Sequence, residues 1–141
     1  MIGPDRRTAY VAGHRYVPDG ASPATLTAIR AATSTAVRIL TMCGAASGDR
    51  PTMAITPDGA TLYYLCPSAN RVIPVRTRTM TVGRPINAGP YPIAIAITPD
   101  GKTVYVVSSI LFSLSGAPGS VTPIRVADGT AGQPITVGRS R

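Results

Sequence analysis

Side chains able to do chemistry are few in this chain. His14 is the single histidine, and the six acidic residues are all aspartates: Asp5, Asp19, Asp49, Asp58, Asp100 and Asp128. Paired-carboxylate chemistry needs two acids facing one bond. Here Asp5, Asp58 and Asp100 recur within one turn motif, which leaves the other three isolated. Serine is no better placed as a nucleophile, because Ser47 in Ala45-Ala46-Ser47-Gly48 lacks the first glycine of a nucleophile elbow. No glycine-rich phosphate loop opens a helix, and Gly116-Ala117-Pro118-Gly119 reads as a turn. Two cysteines and one distant histidine are too few to make a zinc site. No catalytic residue, metal ligand set or cofactor is therefore expected, and the residues point to a binding or scaffolding protein.

Charge says what such a protein would attract. The formal charge is +8, carried almost entirely by arginine, with Lys102 the only lysine. This favours anionic partners in general. Nucleic acid is not expected, because no basic cluster is interleaved with stacking aromatics. That leaves an unknown protein or a cell-envelope partner. No run is long enough to span a bilayer: the apolar stretch from Val104 to Leu114 is interrupted by Ser108, Ser109 and Ser113. The first residues read as part of a repeat, without the basic and then apolar segments of a secretory leader. On that ground Cys43 and Cys66 are expected as two ordinary thiols, although a disulfide between them is geometrically allowed.

The elements that must position these residues come from an internal repeat. Ile97-Thr98-Pro99-Asp100-Gly101-Lys102-Thr103-Val104-Tyr105-Val106-Val107 matches Ile55-Thr56-Pro57-Asp58-Gly59-Ala60-Thr61-Leu62-Tyr63-Tyr64-Leu65. A worn copy opens the chain, from Ile2-Gly3-Pro4-Asp5-Arg6 to Tyr10-Val11-Ala12. Each copy predicts a hairpin. Pro presets φ, Asp bonds its own backbone, and Gly takes the left-handed position; Pro57, Asp58, Gly59, Pro99, Asp100 and Gly101 are the structural turn residues. Arg6 replaces that glycine in the first copy, so its turn is expected to be looser or differently shaped. A third strand follows in each unit and ends in an apolar residue and arginine: Ile29-Arg30, Val75-Arg76 and Ile124-Arg125. Ten positions later come Leu40, Ile86 and Ile135, in fourth strands. Residues 28–40 alone could pass for an amphipathic helix, but their alignment with segments holding Pro74 and Pro123 predicts strands, with the prolines on an outer strand or at a bulge.

Four short antiparallel strands per repeat are the pattern of propeller blades. The I-T-P-D-G-K-T-V-Y-V-V stretch, followed by V-T-P-I-R and P-I-T-V-G, resembles the YVTN repeat of surface-layer-like β-propellers, a WD40-like architecture. The resemblance implies an all-β fold of about three four-stranded blades, over units of approximately 1–50, 51–92 and 93–141, the first lacking its inner strand. It also implies an incomplete ring and a fragment of a larger, seven-bladed protein; assembly from several chains, through the open blade faces, is the sharper alternative. Propellers host many activities. A lactonase- or hydrolase-like propeller enzyme fragment and a nonfunctional remnant stand as the alternatives. The family is often extracytoplasmic or at the cell surface.

The repeats differ in one informative place. Twenty positions separate Tyr10 from Arg30 and Tyr105 from Arg125, but thirteen separate Tyr63 from Arg76. The two insertions hold His14-Arg15-Tyr16 and Ser109-Ile110-Leu111-Phe112. Insertions on one face of a repeat array often form its binding face. The candidate binding residues are His14, Arg15, Tyr16, Arg71 and Phe112, with loop variation that carries no function as the simpler account.

Overall fold

The computed structural model describes residues 1–15, 18, 23–44, 52–108 and 118–138. Three antiparallel sheets follow one another along the chain. The first orders β1 (Thr8–His14), β2 (Pro23–Arg30) and β3 (Thr35–Gly44). The second orders β4 (Met53–Ile55), β5 (Thr61–Cys66), β6 (Arg71–Arg76) and β7 (Thr81–Val82), and β8 (Ile86–Asn87) also pairs with β6. The third is β9 (Pro92–Ile97), β10 (Thr103–Ser108), β11 (Gly119–Arg125) and β12 (Ile135–Val137). Each is an up-and-down blade, and the three form an open array rather than a closed ring. Before β1, Ile2 bridges Ala9, and Met1 and Tyr10 exchange backbone hydrogen bonds, so the first sheet carries a minimal inner pairing. Among the described residues no helix is long and apolar enough to cross a membrane.

The repeated turns form as their chemistry dictates. In the second unit the Thr56 hydroxyl donates to Asp58 Oδ1 (2.5 Å), which also accepts from the Ala60 N–H (2.9 Å). Thr56 Oγ1 in turn accepts from the Thr61 N–H (3.1 Å), and Gly59 sits at φ 74°. The third unit repeats the set with Thr98, Asp100, Lys102 and Thr103, and Gly101 at φ 71°. Both aspartates are held below the usual carboxylate range, first by the threonine hydroxyl and then by the backbone N–H. The worn first turn keeps this shape, contrary to the sequence expectation. Arg6 adopts φ 57°, its N–H reaches the Gly3 carbonyl (2.9 Å), and Asp5 Oδ1 accepts from the Arg7 N–H (2.9 Å). The backbone bonds outweigh the steric cost at Arg6, about 1 kcal/mol.

Residues 28–40 are strand, turn and strand, as the repeat requires. The prolines do not lie on an outermost strand. Pro74 is within β6, opposite Tyr63, and its carbonyl accepts from the Gly83 N–H (2.8 Å). Pro123 and Gly132 repeat the contact at 2.7 Å. A residue's N and O point to the same side of its strand, so the missing proline N–H faces the place where the fourth strand breaks. Glycine suits that approach, since a Cβ at Gly83 would meet Pro74 Cγ at 3.1 Å and its carbonyl at 3.2 Å, closer than ordinary contact.

Two cores hold the blades together. Tyr10, Leu26, Leu62, Tyr64 and Val75 fill the first, between blades one and two. Tyr63, Leu65, Val72, Val104, Val106 and Ile124 fill the second, between blades two and three. Strand β5 is thus buried on both faces, which explains its unbroken Leu62-Tyr63-Tyr64-Leu65 run. Cys43 and Cys66 are joined in a disulfide across the first interface, with Cα atoms 6.2 Å apart. The expected pair of free thiols is therefore corrected: blade packing brings the end of β3 onto the end of β5, which spacing in the sequence could not show.

Candidate functional site

One rim of the array carries His14, Arg15 and Arg71, three of the five candidate residues read from the sequence. His14 is the last residue of β1 and is exposed, pairing in register with Ala24. Arg15 is exposed too, and its N–H donates to the Pro23 carbonyl (2.9 Å), which starts β2. Pro23 pairs with Gly44, next to Cys43. The disulfide leads across to Cys66, whose register partner is the exposed Arg71. His14, Arg15 and Arg71 therefore share one rim of blades one and two, on strand ends tied by a covalent bond. Asn70 fixes the adjoining connection: its Oδ1 accepts from the Tyr91 N–H (2.8 Å) and its carbonyl from the Ala88 N–H (3.2 Å). Tyr16 and Phe112 lie outside the described residues.

Sequence reasoning missed the grooves between blades. A cleft of about 500 Å³ separates blades two and three, lined by Thr61, Tyr63, Arg76, Arg84, Asn87 and Asp128 among others. A cleft of about 410 Å³ lies at the matching place between blades one and two, with Thr8, Tyr10, Arg30, Asp58, Thr77 and Arg78 in its wall. Thr8, Tyr10 and Arg30 are the repeat counterparts of Thr61, Tyr63 and Arg76, and that recurrence was the available signal.

The two clefts differ in charge. Between blades one and two, Arg30 and Arg78 are balanced by Asp5 and Asp58. Between blades two and three, Arg76 and Arg84 share the lining with a single carboxylate, Asp128. That carboxylate is already engaged: Oδ1 accepts from the Thr130 N–H (3.0 Å) and Oδ2 from Arg125 (3.3 Å). Bonds from Thr130, with Arg125 beside it, hold Asp128 below the usual carboxylate range. Burial pushes the Tyr63 phenol up, so it stays a neutral group at physiological pH. The cleft between blades two and three thus offers two guanidinium groups, amide and hydroxyl groups and apolar side chains, an arrangement suited to holding an anion.

No family model matches the chain, and no curated relative matches its sequence. Solved structures do match in shape. Hydrazine synthase from Kuenenia stuttgartiensis superposes with a TM-score of 0.74 at 24% identity, over 98% of this chain and 35% of that one. The β-propeller domain of the Trilobed protease from Pyrococcus furiosus gives 0.68 at 10% identity, over 94% and 40%. TolB from Acinetobacter baumannii gives 0.59 at 17% identity, over 96% and 31%. At these identities the likeness is one of fold: this chain is an open set of β-propeller blades, and it spans less than half the length of each of these structures.

Proposed function

We propose that this chain is a non-catalytic β-propeller module of the YVTN, surface-layer-like kind, contributing three blades to a larger ring and binding an anionic protein or cell-envelope partner. The observation that carries this reading is the cleft between blades two and three, which Arg76 and Arg84 both line and whose one lining carboxylate among the described residues is spent on Thr130 and Arg125. The Cys43–Cys66 disulfide supports an oxidising, extracytoplasmic setting. Arg15 and Arg71, on the rim at the other end of the strands from Arg76, add further basic side chains.

Fluorescence anisotropy with labelled poly-glutamate tests the reading. Binding should weaken with salt, and Arg76→Ala with Arg84→Ala should weaken it about tenfold or more, as expected for losing a charge-assisted hydrogen bond. The same change at exposed Arg7, away from the cleft lining, should do little. Equal losses at both places would reduce the effect to net charge and remove the cleft from it. Ester or lactone turnover that His14→Ala abolishes would instead favour the hydrolase-like reading.

A further inference from the structure

The repeat makes the same residue position buried in two blades and bare in the third. Tyr10, Tyr63 and Tyr105 are equivalent, and they are 6%, 2% and 37% exposed. Tyr105 occupies the same register position as Tyr63, opposite the proline of the third strand of its blade. Tyr10 packs into the core shared with blade two and Tyr63 into the core shared with blade three. The positions beside them behave alike: Ile86 is 8% exposed, whereas its counterpart Ile135 is 51% exposed. Val107 and Val121, paired in register next to Tyr105, complete an apolar tail face on blade three.

The opposite face of blade one is bare in the complementary sense. Leu62 and Tyr64 of blade two, and Val104 and Val106 of blade three, are the residues that cover the preceding blade, and all are buried. Their counterparts in blade one are Ala9 and Val11, and Val11 is 46% exposed. Ile2 matches Ile55 and Ile97, which pack against the two cores, yet Ile2 is 60% exposed. Ile39, in register with Thr27 beside Val11, is 64% exposed. This head face is made of smaller side chains than Leu62 and Tyr64, which leaves room for an incoming tyrosine ring.

We propose that two copies of this chain associate head to tail, the Tyr105 face of each covering the Val11 face of the other. The interface continues the one the chain builds twice within itself, between blades one and two and between blades two and three. A head-to-tail contact closes when the rotation per unit completes a circle. Two copies of three blades give six, within the four to eight that propellers close, and three copies would exceed it. The inference does not rest on the arginine cleft.

Light scattering on the eluting 141-residue chain should give one species of twice its 14.5 kDa mass. Tyr105→Arg and Val11→Arg should each elute as single chains with unchanged far-UV circular dichroism. Mixed together, the two variants keep one intact head-to-tail junction and bring both arginines to the other, so they should pair more weakly than the wild type but more tightly than either variant alone. A wild-type monomer would overturn the proposal and assign the open faces to blades supplied by further sequence. A Val11→Arg dimer would overturn it in favour of a tail-to-tail contact. Polydisperse aggregate would also overturn it. Mixed variants that pair no better than either variant alone, at concentrations well above those at which the wild type dimerises, would also count against the two faces being partners.

Discussion

Reducing the Cys43–Cys66 bond is the perturbation whose size follows most directly from the structure. The bond joins residues 23 positions apart and bridges two blades. Closing a loop of that length in the unfolded chain removes entropy equivalent to about 3.4 kcal/mol at 25 °C. The folded state changes little on reduction, since Cys66 is 1% exposed and a buried thiol behaves as a small apolar group. The whole difference therefore acts through the unfolded ensemble. For a urea m value of about 1.5 kcal/mol/M, the midpoint should fall by about 2 M in the presence of reductant. Circular dichroism with and without dithiothreitol reads the midpoint, and a thiol titration in denaturant reads the covalent state. The reasoning fails if unreduced, denatured protein releases two thiols, or if the two midpoints coincide. Native-state hydrogen exchange adds a second readout: the slowest amides of all three blades, which exchange through global unfolding, should lose protection together.

Arg6→Gly should stabilise the chain by about 1 kcal/mol, because the turn keeps its left-handed position at φ 57° and glycine takes it without a Cβ clash; an unchanged or lower urea midpoint would contradict that account. Gly83→Ala should cost about 1–3 kcal/mol, since the new methyl meets the Pro74 ring and carbonyl on a paired strand. Tyr63→Ala should cost about 3–5 kcal/mol by emptying the second core, and a loss under 1 kcal/mol would show that core to be poorly packed. The turn carboxylates set an acid limit: with folded pKa values below those of the unfolded chain, Asp58 and Asp100 contribute stability that is complete above the unfolded value, near 4, and is lost as pH falls through the folded values. Thr56→Val with Thr98→Val removes the hydroxyls that depress those values and should shift the acid transition to higher pH in a fluorescence-monitored titration.

Local chemistry carried the fold. Pro-Asp-Gly turns, Thr-x-Tyr strands and matched Ile-Arg endings are short-range signals, and their recurrence named the blades and overrode the helical look of residues 28–40. The strand ends that place His14, Arg15 and Arg71 on one rim followed from the same periodicity. Distances across blades did not. Nothing in the spacing of Cys43 and Cys66 shows that β3 ends beside β5, so the bond between them is a product of packing. The charge of the arginine cleft was hidden for the same reason: the recurring Thr, Tyr and Arg positions were legible, but Asp128 lines one cleft with Arg76 and Arg84 only because blade three lies against blade two. Tyr63 and Tyr105 occupy the same position of the same motif, and the sequence alone makes them equal. Their difference, one buried and one bare, belongs to the neighbour and not to the residue, because burial is set by what a side chain is packed against. The sequence by itself determined the blade; the tertiary structure decided which of its faces are left to bind.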